Sequence, residues 1–449
     1  MSAFHAYDIR GVYNQDFDKE IAYKVGFFLP KMLDCDYVVV GRDVRQSSDE
    51  IFEYLTRGIT DAGHDVWDIG LATTPLVYFA TCFFDAGASV QITASHNPKQ
   101  YNGMKISRRK AIPVGGDTGL KDLEKMVYND PVEPVCECCR GKVVKKDIYD
   151  DYVKFQKQFI PDLSNLDITI DTSNGMSTLF VHRLFEGKNF HFINDVLDGS
   201  FPNHEPNPLE EKNCRQLEEA VVANKSDCGI IYDGDADRVI FVDERGRFIQ
   251  PDFTTALICD YYLEKEKDPS FLVDIRTSRS TTEYLKKNGA KEVVIWKVGH
   301  AYAKDKIREL GLVAGGELAG HYYFRDFNNC DSGIFASLLV LQGIVKLKNE
   351  GKSFAQFIDN LVVYANSGET NFRLDSKDEC IKEIYTKYSA MNPERILDFD
   401  GYRIEFPTWW FSVRKSNTEP FLRLIVEAQS KQELDAHMDE LKSIIAKFS

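Results

Sequence analysis

Three aspartates, Asp233, Asp235 and Asp237, alternate with Gly234 and Ala236 in the stretch IIYDGDADRVIFVDE. On an extended backbone, residues two apart share a side, so the three carboxylates are expected to crowd one face. Like charges that close repel unless a cation joins them. The small residues between them leave the backbone free to wrap an ion, and an all-oxygen set favours Mg²⁺ or Ca²⁺ over Zn²⁺. An EF-hand loop has Glu at its twelfth position, as Glu244 would be here, but needs Gly at the sixth, where Arg238 stands. Mg²⁺ is therefore the expected ion, with a solvated acidic turn as the plainer alternative.

A second stretch, QITASHNPKQYNGMKIS, ends a strand at Ser95, turns at Pro98, and is expected to turn again at Asn102-Gly103 before Lys105. This presents a hydroxyl at a strand-to-loop junction with His96 and Lys105 nearby, a suitable place for a nucleophile or a phosphoryl carrier. The G-x-S-x-G elbow of a serine hydrolase is absent, and by spacing alone a polar turn reads equally well. The third stretch, AGGELAGHYYF, lets a ligand approach the backbone at Gly315, Gly316 and Gly320 and offers Glu317 and His321 as polar partners, a set suited to a sugar. Upstream, KVGH puts His300 at a strand end. The fourth, FSVRKSNTEPFLRL, packs Arg414, Lys415, Ser416, Asn417 and Thr418 into one turn, a local receptor for an anion such as phosphate. Neither a P-loop nor a G-x-G-x-x-G occurs.

These loops need rigid elements to hold them. With 43% hydrophobic and 28% charged residues among 449, the chain has the make-up of a folded protein of several domains. Apolar runs at 36–43, 88–95, 166–173, 228–235, 271–278 and 292–299 alternate with helical patterns, which is the signature of α/β layers. The last quarter differs: NFRLD, YRIEF, WWFSVRKS and FLRLIVEA read as strands before a closing helix at 431–448, an α+β module. The most apolar stretch, 334–345, is too short to span a bilayer, and the N-terminal residues carry no secretory pattern, so a cytoplasmic protein is expected. A net charge of −15 argues against nucleic acid and anionic membranes as partners. Cys136, Cys138 and Cys139 cluster in PVCECCRG, but no second ligand pair follows at zinc-finger spacing, so a surface loop is expected there.

Taken together, AYDIRG (6–11), TASHNP (93–98), DGDADR (233–238), GELAGH (316–321) and RKSNTEP (414–420) resemble, in order and across nearly the whole chain, the signature of the α-D-phosphohexomutase family. Within that family the chain is most similar to the bacterial phosphomannomutase/phosphoglucomutase branch. The resemblance implies three similar α/β domains and a smaller α+β C-terminal domain around a central cleft. The expected divisions are 1–140 with the phosphoserine loop, 141–246 with the Mg²⁺ loop, 247–360 with the sugar loop and 361–449 with the phosphate loop.

It also implies reversible transfer of phosphate between C1 and C6 of a hexose phosphate, mannose or glucose, through a phosphoserine and a hexose 1,6-bisphosphate. By that resemblance Ser95 carries the phosphoryl group, and Ser95, Asp233, Asp235 and Asp237 hold Mg²⁺, with Arg238 supporting the phosphoserine side. Lys105, Arg10, His96 and His300 are the candidates for polarising the substrate hydroxyl and moving its proton, with the choice among them open. Tyr7, Arg276, Glu317, His321, Arg414, Ser416, Asn417 and Thr418 bind the hexose phosphate. Ala319 replaces the family's usual Ser, and His5 its usual Arg, which leaves the hexose less defined. A strict phosphoglucomutase, a phosphoglucosamine mutase, a metal-dependent phosphatase and a silent sugar-phosphate-binding homologue are the competing readings. The expected partners are small hexose phosphates, and the chain is expected to be a monomer or dimer.

Overall fold

The computed structural model of the chain describes residues 3–416 and 421–448. Its strands form four sheets. The first contains β1 (Ile9–Val12), β2 (Tyr37–Arg42), β3 (Asp65–Leu71), β4 (Ala88–Ile92), β5 (Tyr101–Arg108), β6 (Ile112–Pro113) and β7 (Val143–Lys145), in the order β1-β5-β4-β2-β3-β7 with β6 beside β5. The second contains β8 (Ile168–Asp171), β9 (Phe190–Ile193), β10 (Cys228–Tyr232), β11 (Val239–Asp243) and β12 (Phe248–Ile249), in the order β12-β11-β10-β8-β9. The third contains β13 (Ser270–Asp274), β14 (Glu292–Trp296), β15 (Ala314–Gly316), β16 (Tyr322–Phe324) and β17 (Cys330–Asp331), in the order β14-β13-β15-β16-β17.

These three sheets share one plan. Three parallel strands (β3-β2-β4, β9-β8-β10 and β14-β13-β15) are followed by one antiparallel strand (β5, β11 and β16) hairpinned to the third. Strand order reverses at the middle parallel strand, and the crevice beyond the strand ends at such a reversal is where open α/β sheets collect ligands. The hairpin loops at that end are 93–100, 233–238 and 317–321, which are the Ser95, aspartate and Glu317 loops. The central strands are apolar almost without interruption, as in Val38, Val39 and Val40 or Phe271, Leu272 and Val273, because helices cover both faces of each sheet. The apolar stretch at 334–345 lies in the helix Gly333–Asn349, which Ser332 caps by accepting from the Phe335 N–H. Its Leu338, Leu339, Val340 and Leu341 are fully buried in a core shared by all three α/β layers. Among the described residues no helix is long and apolar enough to cross a membrane.

The fourth sheet is antiparallel: β18 (Ala365–Asn366), β19 (Thr370–Arg373), β20 (Arg395–Leu397), β21 (Tyr402–Glu405), β22 (Trp409–Lys415) and β23 (Phe421–Ala428). One face carries the helices Lys377–Ser389 and Lys431–Ile445, whose Ile384, Tyr388, Leu434 and Leu441 pack on Ile404, Phe411, Val413 and Leu424. The other face docks on the third layer. There Arg403 Nη1 donates to Ile275 O (3.0 Å) and Thr277 O (2.7 Å) with its guanidinium 3.6 Å over the Trp410 ring, and Glu427 accepts from Arg279 N–H at 2.8 Å.

Four local features depart from the sequence expectation. The first sheet runs past residue 140, because β7 pairs with β3. The second runs past 246, because 243–247 is a tight turn joining β11 to β12. Asn102-Gly103 is no turn but the interior of β5, opposite Gly11 and Arg10 of β1. A Cβ at Gly103 would sit 2.2 Å from Ile9 O, so the glycine serves strand contact rather than chain reversal. Before the closing helix the pattern of the last quarter reads as strands alone, whereas Lys377–Ser389 is a helix.

Candidate active site

Ser95 follows β4 with a left-handed φ of 52°, uncommon for a residue bearing a side chain, and is buried. What holds it there is Arg45, whose guanidinium lies inside the loop. It donates to Ser95 O (2.8 Å), Asn97 O (2.6 Å), Pro98 O (2.8 Å) and Tyr101 O (3.1 Å), and its Nε donates to Asp43 Oδ2 (3.1 Å). The Ser95 N–H donates to Thr93 Oγ1 (2.9 Å), and Oγ donates to Asp233 Oδ2 at 2.7 Å. His96 Nδ1 is 3.4 Å from Oγ. Burial, then Arg238, Arg10 and Lys105 around it, hold the His96 imidazole well below its usual pKa, so it is neutral at pH 7. Arg10 reaches the same loop through Nη1 to Asn97 Oδ1 (2.8 Å) and is anchored by Asp8.

The three aspartates do converge, but not along an extended backbone. Residues 233–237 form a turn with Ala236 at φ 60°, and it is this turn that gathers ligand oxygens of Asp233, Asp235 and Asp237 within 4.8 Å of one another. Gly234 lets it press on the serine loop, since a Cβ there would lie 2.5 Å from Ser95 O. Lys105 Nζ donates to Asp235 Oδ2 (2.7 Å) and Asp237 Oδ2 (2.5 Å), and the Thr74 hydroxyl also bonds Asp235 Oδ2. Burial pushes Asp235 up, yet Lys105 and Thr74 outweigh it and hold the carboxyl below the usual range. Asp233 lacks such a partner, so burial and then its two carboxylate neighbours hold it well above the usual range. Asp235 Oδ1 and Asp237 Oδ1 are buried with no hydrogen-bond partner among the described residues. Orphaned carboxylate oxygens in an all-oxygen set fit a hard divalent cation such as Mg²⁺.

The glycine loop meets this centre from the third layer. His321 pairs across a β-bridge with Arg238, and its Nδ1 lies 2.7 Å from Asp331 Oδ2 and 3.8 Å from Asp237 Oδ1. Asp331 is paired in turn with the fully buried Lys304 at 2.6 Å. Glu317 accepts from the Gly299 N–H (2.6 Å) and the Tyr323 hydroxyl (2.5 Å). His300 packs against Tyr7 and His321, with ring centroids 5.6 and 5.8 Å away, and burial followed by the charge of Lys304 keeps it neutral. On the fourth sheet, the carboxylate of Glu369 gathers Arg414 Nη2 (3.1 Å), Arg423 Nη1 (3.2 Å) and, from the third layer, Arg276 Nη1 (3.7 Å). Arg276 is also forked onto Asp274. The Ser416 N–H donates to Phe421 O at 2.9 Å, and Asn417 and Thr418 lie outside the described residues.

The chain is similar to known proteins along nearly its whole length. Residues 1–130, 149–246 and 250–364 match the phosphoglucomutase/phosphomannomutase alpha/beta/alpha domains I, II and III, and 369–444 match the C-terminal domain of the same family. A phosphomannomutase of Escherichia coli is 36% identical over 99% of this chain and 99% of its own length. The chain belongs to the phosphoglucomutase/phosphomannomutase family. A Vibrio cholerae phosphomannomutase is 34% identical over 100% of this chain and 99% of its own. A crystal structure of a family protein from Burkholderia thailandensis superposes with a TM-score of 0.89 at 28% identity, covering 99% of this chain and 96% of that one. The fold is thus the four-domain α/β architecture of the phosphohexose mutases, and the chain is a phosphohexose mutase.

Within this family fold, the structure brings Ser95, His96, Lys105, Arg238, Asp233, Asp235 and Asp237 into one centre, with Arg10 beside it. It sets Tyr7, His300, Glu317 and His321 next to that centre, and Arg276 with Arg414 at the junction of the third and fourth sheets. Arg45, Thr74, Lys304, Asp331 and Glu369 also shape the site, and no local spacing flags them. The one sequence signal for Arg45 is its place in GRDVR, a charged pair just past the end of β2.

Proposed function

We propose that the chain interconverts the 1- and 6-phosphates of a hexose, mannose first and glucose second, with Ser95 as the phosphoryl carrier. The observation that carries this reading is the buried Ser95 Oγ, 2.7 Å from Asp233 within a three-aspartate cation site. In the first half-reaction the free hydroxyl oxygen of the bound hexose phosphate attacks phosphorus on Ser95. The P–Oγ bond breaks with its electron pair staying on Oγ, a P–O bond to the sugar forms, and the hydroxyl proton leaves to a base, which returns it to Ser95 Oγ. His96, neutral and 3.4 Å from Oγ, can hold that proton, while Lys105 and Arg10 place positive charge beside the transferring group. The product is a hexose 1,6-bisphosphate, which turns over so that Ser95 Oγ recovers the other phosphate. Asp233, Asp235 and Asp237, with a phosphoserine oxygen, would hold Mg²⁺, which when bound offsets negative charge on the phosphoryl group.

Tyr7, Glu317 and His321 would orient the sugar, and Arg276, Arg414, Ser416, Asn417 and Thr418 the phosphate that is not reacting. One grip must then serve both ends of the sugar in turn. A reducing cytoplasm belongs to the same reading, because all ten cysteines are free thiols, three of them exposed. The test is a coupled assay primed with hexose 1,6-bisphosphate, comparing mannose 1-phosphate with glucose 1-phosphate. Ser95→Ala is expected to lower turnover by about 10³-fold or more with both sugars. Wild-type turnover in that variant would refute the assignment.

A further inference from the structure

Cys136, Cys138 and Cys139 take no part in the cleft. Their three Sγ atoms nevertheless converge, all within 4.8 Å of one another, with 2.8 Å between Cys136 and Cys138 and 3.9 Å between Cys138 and Cys139. All three are exposed, whereas the other seven cysteines are buried or half-buried.

The loop that presents them is clamped at both ends. The Val135 N–H donates to Asp61 O (2.9 Å), the Gly141 N–H donates to Thr60 O (3.0 Å), and Arg140 Nε lies 3.0 Å from Oδ1 of the buried Asp61. A Cβ at Gly141 would sit 1.8 Å from His64 O, so the chain is pressed onto the C-terminal end of the helix Ser48–Asp61. Between the clamps the Cys139 N–H donates back to Cys136 O at 2.8 Å, and just beyond them β7 joins the first sheet. The loop that carries the three thiols is thus fixed by the fold.

A disulfide would use two sulfurs and leave the third without a role. Three sulfurs within 4.8 Å of one another match a soft cation instead. With Zn–S bonds of about 2.3 Å, sulfurs around a shared ion stand about 3.8–4.0 Å apart. The Cys138–Cys139 separation already has this value, and the exposed Cys136 side chain need only rotate outwards to reach it. We propose that Cys136, Cys138 and Cys139 form a three-thiolate site for a thiophilic d¹⁰ cation, Zn²⁺ or Cd²⁺. Each thiol gives up its proton on binding, and water completes the fourth position. The site precedes β7, at the N-terminal ends of the parallel strands, while Ser95 follows β4 at their C-terminal ends. It is therefore separate from the phosphoryl centre.

The experiment titrates the reduced, metal-stripped full-length protein with Cd²⁺ in excess Mg²⁺, reading the thiolate-to-cadmium charge-transfer absorption, which carboxylates do not give. One equivalent per chain is expected, with an affinity at least about 100-fold weaker in the Cys136→Ser/Cys138→Ser/Cys139→Ser variant. Mutase turnover and the thermal midpoint without metal are expected to be the same in both proteins. Equal charge-transfer signal in the variant, or no signal in the wild type, would overturn the proposal. So would a thiol count showing two of these cysteines joined to each other in the presence of reductant.

Discussion

Arg414 Nη2 lies 3.1 Å from Glu369 Oε1, and the other oxygen of the same carboxylate takes Arg423 Nη1 at 3.2 Å. Arg276 completes the ring from the third layer. Burial pushes the Glu369 carboxyl up, but the three guanidinium groups outweigh it and keep it ionised. An anion thus already sits among the arginines expected to receive the substrate's distal phosphate, and the two anions compete. Glu369→Gln keeps the shape and removes the charge. Calorimetric titration with inorganic phosphate is expected to show binding tightened by about 10-fold. The melting midpoint should fall by a few degrees, because the fourth domain loses a charge-assisted link to the third. Unchanged phosphate affinity would mean that Glu369 does not occupy the receptor.

The aspartate turn makes a second outcome readable without turnover. A ligand that binds only the folded state raises its stability by mass action. Millimolar Mg²⁺ is expected to raise the thermal midpoint of the wild-type chain and to leave Asp233→Asn and Asp237→Asn unmoved. Chelation should abolish turnover, and Mg²⁺ should restore it. A midpoint that rises equally in both variants would point to an ion elsewhere.

Asp252 offers a pH dependence outside the centre. It opens the helix Pro251–Lys265, fully buried, and accepts from the Ser278 and Phe253 N–H groups at 3.0 Å each. Burial raises its pKa from 3.8 to about 7. A carboxyl whose folded value lies above its unfolded one stabilises most below pH 3.8, and that contribution is lost as pH rises through 7. The loss amounts to at most about 4 kcal/mol across this window. Urea denaturation between pH 5 and pH 8 should therefore show stability declining in the wild type, with a shallower slope in Asp252→Asn. Parallel slopes would assign the decline to other groups.

Residue types carried the chemistry in the sequence, and geometry did not. Ser95, the aspartate trio and RKSNTEP declare a hydroxyl, a cation site and an anion receptor by composition alone, and the apolar runs at 36–43 and 271–278 declare buried strands. The gathering of the trio was legible from its spacing, but the turn that produces it stayed hidden, because it depends on a left-handed Ala236 and nothing in DGDADR announces that conformation. Asn102-Gly103 misleads for the opposite reason: the pair has turn chemistry, but β1 requires a residue without a Cβ at 103. Arg45 lies 50 positions from Ser95 and Glu369 lies 45 from Arg414, while Lys304 and Asp331 lie in ordinary-looking segments, so only the packed structure joins them to the site. The shared hairpin plan is equally invisible, since the three loops have no sequence in common. What they share is their position after the third parallel strand.

Gly234 tests that convergence. It stands where the second layer's hairpin meets the first layer's, and an added Cβ would lie 2.5 Å from Ser95 O and 3.4 Å from Pro206 Cβ. The first contact is with backbone that Arg45 pins by a guanidinium at 2.8 Å, so it cannot yield without shifting the serine. Gly234→Ala should therefore separate Ser95 Oγ from Asp233 while removing no functional group. A displacement of about 1 Å at a reacting atom costs on the order of 10²-fold in rate, so kcat should fall by about that factor. The fold should survive, read by far-ultraviolet dichroism, because the strands on either side of the turn are untouched. Phosphate binding at the Arg414 end should also be unaltered, since that end belongs to another layer. A variant with wild-type kcat would show that the two hairpins need not touch for transfer. One that lost phosphate binding as well would show that the damage spreads beyond the hairpin contact.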